Sequence, residues 1–362
     1  MSGEERGRSR RTTVVELVGP ESLRVVEREL PALDAGELLV RIEAATTCGT
    51  DVKVYRRGGH PRMLRPPCPF GHEFAGTVAE IAPDVERWRL GDRVVVANSA
   101  SCGRCARCVE GRENLCADLR YLNGAFGERI IVPARFVERS TYRLPDGLPF
   151  ELASLAEPLA CVVHGVEACE LVRAADVVVW GAGPIGLLFV GALAVRGHRV
   201  VVADPNASRL DVARRFGAAD VIAIERGGGQ RDTVVARSAA SSGFDVAIDA
   251  TGVPAVWADA LASVRPGGLV NLFGGCAPGT TVPFDTHSIH YSELTVRGVY
   301  HHRPATFRAA IDLLASRRFD AGLLLSDEAP LAGVEDALRR MMRKEALKVL
   351  IRPHQPGAVR IR

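Results

Sequence analysis

Four cysteines fall within fifteen residues of this 362-residue chain, as Cys102-x2-Cys105-x2-Cys108-x7-Cys116. Thiolates at that spacing can close around one tetrahedral ion and leave no coordination position open, so the site they form is structural. The intervening residues are mostly Gly, Arg, Ala and Glu. They build no core, and metal binding must supply the local folding energy. A zinc ion fits this pattern, and an iron–sulfur cluster is the rival that also takes four cysteines. Three further segments carry ligand-type residues beside structure-breaking ones: Cys48-Gly-Thr50-Asp51, Gly71-His72-Glu73 and Glu157-Pro158-Leu159. Singly they say little, because an isolated Cys, His or Glu more often packs or faces solvent.

A second chemistry is written in Gly181-Ala-Gly183-Pro184-Ile185-Gly186. This G-x-G-x-x-G follows an apolar strand pattern and opens a helix pattern, the context a dinucleotide fingerprint needs. Gly181 permits the tight turn, Gly183 lets a pyrophosphate approach the backbone, and Gly186 lets helix and strand pack closely. The helix N-terminus then offers free N–H groups and a favourable dipole to the phosphates. The next apolar run ends in Asp204, 18 residues past Gly186, near the distance expected for the acid that binds the ribose hydroxyls. A carboxylate there repels a 2′-phosphate, which favours NAD over NADP. Arg209, one helical turn on, is the residue that softens this preference.

The elements that must position these groups follow from periodicity. Up to about residue 150 the chain reads as strands and turns, with β-rich runs at Thr13–Val18, Glu37–Ala44, Phe74–Ile81 and Arg93–Ala97. A helical stretch is expected over Leu152–Cys169. Beyond it, short, uniformly apolar strands (Asp176–Trp180, Arg199–Ala203, Asp220–Ile224, Phe244–Asp249, Leu269–Phe273 and Leu294–Val299) alternate with helix-length segments. That alternation indicates a parallel sheet covered on both faces. A helix over Pro304–Ser316 and a strand over Leu347–Ile351 complete the pattern.

Bulk properties exclude several function classes. Hydrophobic residues make up 47% and charged residues 25% of the chain, and the formal net charge is +3. This balance gives no reason to expect nucleic acid or a membrane as partner. No segment is long and apolar enough for a transmembrane helix, and the polar first eleven residues lack the apolar region of a secretory signal. Residues 1–11 are expected to be a disordered tail. Nine cysteines, an odd number without an export signal, point to thiols in a reducing cytoplasm rather than a disulfide framework.

Taken in order, these motifs resemble the zinc-containing medium-chain dehydrogenase/reductase superfamily, and within it the polyol (sorbitol) and L-threonine dehydrogenase branch. The resemblance runs from about Leu38 to Pro353 and includes the turn Gly91-Asp92-Arg93-Val94. It implies an α/β fold in which a GroES-like, mostly-β catalytic domain is interrupted by a doubly wound Rossmann domain. The catalytic domain takes 12–157 and 300–362, with the four-cysteine lobe at 101–117, and the Rossmann domain takes 158–299. By resemblance Cys48 and His72 are ligands of a catalytic zinc, Glu73 is the third protein ligand, and Glu157 binds the metal directly or through its water. Which glutamate binds when stays open. Asp51 is expected to orient the His72 ring, and Thr50 to carry the substrate proton. Lys53 stands where many relatives have a histidine that completes a relay to solvent. His164 reads as a core residue near the site.

The resemblance therefore implies two zinc ions per chain, one catalytic and one structural, and NAD in preference to NADP. The reaction is reversible hydride transfer between NAD and a secondary alcohol: a polyol, sugar, aminocyclitol or threonine-like compound. Reduction of a keto-sugar or ketocyclitol by the same residues is the alternative direction. A non-catalytic zinc- and NAD-binding protein is the alternative of another class, which the full ligand set disfavours. The only expected partners are the small alcohol or ketone and further copies of the chain, as a homodimer or homotetramer, with Leu294–Val299 as a candidate pairing edge.

Overall fold

Strand-length apolar runs broken by Gly, Pro and Asp make the first half of the chain a sheet, and the strand–helix alternation after it makes a second. The computed structural model describes residues 10–355. The chain divides into two units, 1–157 with 324–362, and 158–323.

In the first unit the central strand is Leu38–Thr46, buried along nearly its whole length. It pairs antiparallel with Glu73–Ile81, with Arg129–Val132 and, at its carboxyl end, with Lys348–Ile351. Beyond Glu73–Ile81 the sheet continues through Arg93–Val96 and Thr141–Arg143, and beyond Lys348–Ile351 it ends on Leu325–Ala329. Two pairings decide the site. Thr46 lies opposite Glu73 on one side and opposite Leu350 on the other, so residues far apart in sequence meet at one end of one strand. Phe70, Phe74, Trp88 and Phe126 anchor the core of this unit.

The amino-terminal strand Arg11–Gly19 pairs with Ser22–Glu29 and with Cys68–Pro69. Arg10 and Arg11, expected in a disordered tail, are drawn in by this pairing: Arg11 lies opposite Glu29, and the Arg10 carbonyl accepts the Leu30 N–H at 2.5 Å. The other nine residues of that tail lie outside the described residues.

The helical stretch over Leu152–Cys169 is two helices, Phe150–Ala153 and Ala156–Glu167. Pro158 sits in the first turn of the second, where its missing N–H costs nothing.

The second unit is a six-stranded sheet, parallel throughout, in the spatial order Asp220–Ala223, Arg199–Asp204, Asp176–Trp180, Phe244–Asp249, Val264–Leu272, Thr295–Gly298. Strand order reverses between Asp176–Trp180 and Phe244–Asp249. Such a switch point opens a crevice at the carboxyl ends of the strands, where ligands of doubly wound sheets bind. This unit extends to Leu323, past the residue 300 expected from the sequence. The helix Pro304–Ala315 belongs to it, burying Phe307, Ala310, Ile311 and Leu314 along one stripe. Phe319 just beyond packs onto Gly191 of the helix Pro184–Ala194, where a Cβ would come within 2.6 Å of its ring.

Candidate active site

The helix Gly49–Arg57 starts at Cys48, and its start is doubly fastened. Cys48 is the N-cap: its Sγ accepts the Thr50 N–H at 3.4 Å, and the Asp51 carboxylate accepts the Cys48 N–H at 2.9 Å. Thr50 is therefore inside the first turn. Its hydroxyl has no partner among the described residues. The other Asp51 oxygen meets His72 Nδ1 at 2.9 Å, with both side chains buried. One carboxylate thus fixes the cysteine backbone and the histidine ring together, and leaves Nε2 as the histidine's free ligand atom. Burial alone would lower the His72 pKa, but the Asp51 carboxylate and Cys48 beside it raise it well above the usual value.

Glu73 is fully buried and paired. Lys348 Nζ donates to both of its oxygens, at 3.0 and 2.6 Å, and the Thr46 hydroxyl donates to one at 2.5 Å. Lys348 also donates to the Thr47 carbonyl at 2.6 Å. Burial would pull the Lys348 pKa down, yet the Glu73 and Cys48 charges raise it, so the lysine stays an ammonium. Ligand atoms of Cys48, His72 and Glu73 lie within 4.8 Å of one another. Glu157, also buried, is outside that set. Burial, with Glu73 nearby, pushes its carboxyl up to about 7 against the opposing pull of His72 and Lys348.

The four cysteines converge as a separate cluster. Their sulfurs approach at 3.5 Å (Cys105–Cys108), 3.9 Å (Cys105–Cys116) and 4.0 Å (Cys102–Cys108). A tetrahedron with metal–sulfur bonds of about 2.3 Å has edges of about 3.8 Å, so the spacing matches a single ion. In an iron–sulfur cluster the four thiolates are divided among two or four irons of a larger core, so they do not all close on one point as these sulfurs do, which argues against that rival. The Cys102 N–H donates to Cys116 Sγ at 3.2 Å, and the Cys105 N–H to Cys102 Sγ at 3.4 Å. Amide donors from Ala117 and Cys108 pull the Cys105 thiol down to about 6, whereas burial pushes Cys108 up to about 12.

In the second unit each fingerprint glycine has its own reason. Gly181 has φ +100°, and a Cβ there would strike the Thr251 methyl at 2.8 Å. A Cβ on Gly186 would lie 1.8 Å from the Gly181 carbonyl oxygen. Around Gly183, the N-cap of Pro184–Ala194, space is open to 4 Å, and Pro184 pre-sets the first helical turn. Ile185 continues that turn. Asp204 is buried at the end of its strand, its two oxygens accepting the Ala182 N–H at 2.7 Å and the Asn206 N–H at 2.8 Å. Arg209 is half-buried in the first turn of Ala207–Arg215, in no ion pair among the described residues. His164 is a packing residue: its Nδ1 meets the His301 carbonyl at 2.7 Å, and burial lowers its pKa.

Residues 34–146 match the alcohol dehydrogenase GroES-like domain, and residues 184–316 match the zinc-binding dehydrogenase domain. A sorbitol dehydrogenase of Bacillus subtilis (strain 168) is 31% identical over 335 residues, covering 90% of this chain and 93% of that protein. The chain belongs to the zinc-containing medium-chain dehydrogenase/reductase superfamily, in its polyol and threonine dehydrogenase branch. An L-threonine 3-dehydrogenase of Colwellia psychrerythraea is 33% identical over 278 residues, covering 75% of this chain and 79% of that protein. A solved structure of a zinc-binding dehydrogenase from Sinorhizobium meliloti 1021 bound to NADP superimposes with a TM-score of 0.86 at 29% identity, covering 95% of this chain and 99% of that one. Like its superfamily, this chain is an oxidoreductase that couples the oxidation and reduction of alcohols to NAD(P).

For this dehydrogenase, sequence reasoning passed over Thr46, Lys348 and Asp249. Lys348 had a signal, being one of three lysines and set inside an apolar run; a lone cation there asks for a buried counter-charge. Asp249 had a weaker one. Buried at the end of its strand, it accepts N–H groups of Thr251, Gly252 and Trp257 and the Thr251 hydroxyl. It thereby holds the loop whose Thr251 methyl rests on Gly181.

Replacing Lys348 with Met should destabilise the protein by roughly 3–5 kcal/mol, because it strands the Glu73 carboxylate in the core. Adding Glu73→Gln to that variant should recover most of the loss. Thermal melts of the two variants check this, and a single variant as stable as wild type would contradict the pairing.

Proposed function

We propose that this dehydrogenase oxidises a secondary alcohol of the polyol, sugar, aminocyclitol or threonine-like kind, reversibly and with NAD. Its catalytic zinc is held by Cys48, His72 and Glu73. The observation that carries the reading is the convergence of a thiol, an imidazole nitrogen and a carboxylate within 4.8 Å, next to a threonine hydroxyl that no group among the described residues engages. A soft sulfur, a nitrogen and an oxygen donor suit zinc and leave a fourth position open. Glu73 remains able to ligate, since a carboxylate offers about four lone-pair directions and Lys348 and Thr46 do not use them all. Glu157, outside the close set, is the group that approaches as substrate exchanges. A second zinc at Cys102, Cys105, Cys108 and Cys116 fastens the lobe.

When bound, zinc supplies Lewis acidity toward an alcohol oxygen, and the nicotinamide supplies the hydride acceptor. The chain's own groups do the rest. Asp51 keeps the His72 ring in one tautomer and one orientation. Lys348 and Thr46 fix Glu73. The Thr50 hydroxyl takes the substrate proton and passes it outward. The amide groups at the start of Pro184–Ala194 cradle the pyrophosphate.

NAD is favoured over NADP because the buried Asp204 carboxylate, held by two amides at the end of its strand, would repel a 2′-phosphate. Arg209 limits that preference, and the Sinorhizobium relative holds NADP. Among the described residues the strand Thr295–Gly298 has one unpaired edge, with Val296 exposed, a surface suited to pairing with a second copy in a homodimer or homotetramer. Nine cysteines free of disulfides fit a reducing cytoplasm.

Cys48→Ser and His72→Ala should each abolish turnover and remove one of two zinc equivalents per chain, while NADH binding by fluorescence titration persists. Turnover by wild-type protein stripped of that zinc would sink the proposal. Cys105→Ser should remove the other equivalent and lower the melting temperature markedly, since binding at such sites is worth on the order of 10 kcal/mol in small zinc peptides. An unchanged melting temperature with full zinc content would contradict the structural role.

A further inference from the structure

Between Asp51 and Glu73 the sequence holds no acidic residue and five cations: Lys53, Arg56, Arg57, Arg62 and Arg65. All five are exposed, and among the described residues none is in an ion pair. Many arginines elsewhere in the same unit are matched, as Arg24 and Arg28 are with Glu16, Arg340 with Asp327, and Arg352 with Glu328. The net charge of the chain is only +3, so this excess reflects placement rather than composition.

The cluster grows out of the catalytic helix. Thr50, Lys53 and Arg57 are spaced i, i+3, i+7 and share one face of Gly49–Arg57, bordered by the buried Val54 and turned from the buried Asp51 and Tyr55. At 1.5 Å per residue, Lys53 stands about 4.5 Å and Arg57 about 10 Å beyond Thr50 along the axis. Gly58, with φ +72°, ends the helix, and the loop after it is held in place. His60 Nδ1 accepts the N–H groups of Arg62 and Met63 at 3.2 and 3.1 Å, and His60 and Leu64 exchange backbone bonds at 3.0 and 3.3 Å. The Asn123 amide donates to the Met63 carbonyl at 3.0 Å. The loop therefore presents Arg62 and Arg65 from a fixed frame. His60 registers their charge: burial lowers its pKa first, and Arg57 and Arg62 lower it further.

We propose that these cations form an anion-recognition subsite of the active site, and that the substrate is a secondary alcohol bearing a phosphate or carboxylate a few bonds from the reacting carbon. The inference rests on the dehydrogenase reading above, because it takes Thr50 as the place of the reacting hydroxyl. Lys53 and Arg57, at increasing distance from Thr50 along one helix, suit a small, extended molecule with its anion at the far end, and the loop that follows adds Arg62 and Arg65. Guanidinium forks match both phosphate and carboxylate geometry. A nucleic acid would need a basic surface spread over a face, whereas these five cations fall in one short segment, between Lys53 and Arg65.

The test compares sorbitol, sorbitol 6-phosphate and gluconate as substrates of the zinc-replete enzyme with NAD. At least one anionic compound should exceed sorbitol in kcat/KM by about tenfold or more, mainly through KM. Which one does so separates phosphate from carboxylate recognition. The advantage should collapse in the Arg57→Ala/Arg62→Ala variant, largely survive Arg57→Lys, and shrink as salt is raised. If sorbitol is used as well as its anionic derivatives and the arginine variants leave that ratio unmoved, the subsite is overturned and the dehydrogenase reading stands. If no compound turns over, the dehydrogenase reading is weakened, and calorimetric titration of the same protein with inorganic phosphate decides the subsite. Binding lost in the double variant supports it; absent or variant-independent binding overturns it. Heparin or duplex DNA bound through these arginines, with no anionic substrate preference, also overturns it.

Discussion

The first unit depends on a buried ion pair between residues 275 positions apart. Glu73 and Lys348 have no solvent to share, and Lys348 reaches the Glu73 oxygens and the Thr47 carbonyl at once. Removing two charges from water is costly, and the attraction between them repays it only with good geometry and further hydrogen bonds. Both are present, with the Thr46 hydroxyl taking part of the remaining acceptor capacity of Glu73. The gain is register. A one-residue slip of Lys348–Ile351 against Leu38–Thr46 would turn the lysine to the opposite face and leave the carboxylate alone. The site therefore cannot close until the carboxyl-terminal segment has returned to the first sheet.

Asp51 applies similar economy at shorter range. Its two oxygens serve the Cys48 amide and the His72 ring, so the helix start and the strand start are fastened by one side chain. A helix N-terminus needs acceptors for its free amides, and here the acceptors are the Asp51 carboxylate and the cysteine sulfur themselves. Thr50 is left with its backbone committed and its hydroxyl free. The local folding requirement and the chemical one are met by the same atoms, which explains why the motif is so compact in sequence.

That economy also decided what was legible. The glycine fingerprint and the four cysteines are local: their residues lie within one turn or one lobe, so spacing alone carries the geometry. The parallel sheet was legible because strands buried on both faces read as uninterrupted apolar runs. Ser22–Glu29 was not, because most of its residues are exposed and only its pairing with Arg11–Gly19 makes it a strand. The return point was misplaced because Pro304–Ala315 has the same amphipathic pattern whichever unit it covers. Lys348, Thr46 and Asp249 were missed because their roles exist only through partners supplied by other strands. Periodicity reports which face is buried, and says nothing of which polar group waits there.

Charge shows the same limit from the other side. Summed over the chain it is nearly balanced, which gives no reason to expect nucleic acid or a membrane as partner. The sum hides that many acids and arginines neutralise one another in pairs, while the cations of the segment following the helix start at Cys48 have no ion pair among the described residues. Lys53 is the instructive residue. Placed where many relatives have a relay histidine, it reads as a defect in a proton path. Yet an exposed ammonium is a fixed positive charge, and with Arg57 one turn further on the same face it extends a cationic track from Thr50. On the subsite proposed above, the departure from the family pattern is a change of task at that position: the proton would leave from Thr50 through water, and the side chain that replaces the histidine would face the substrate's charge.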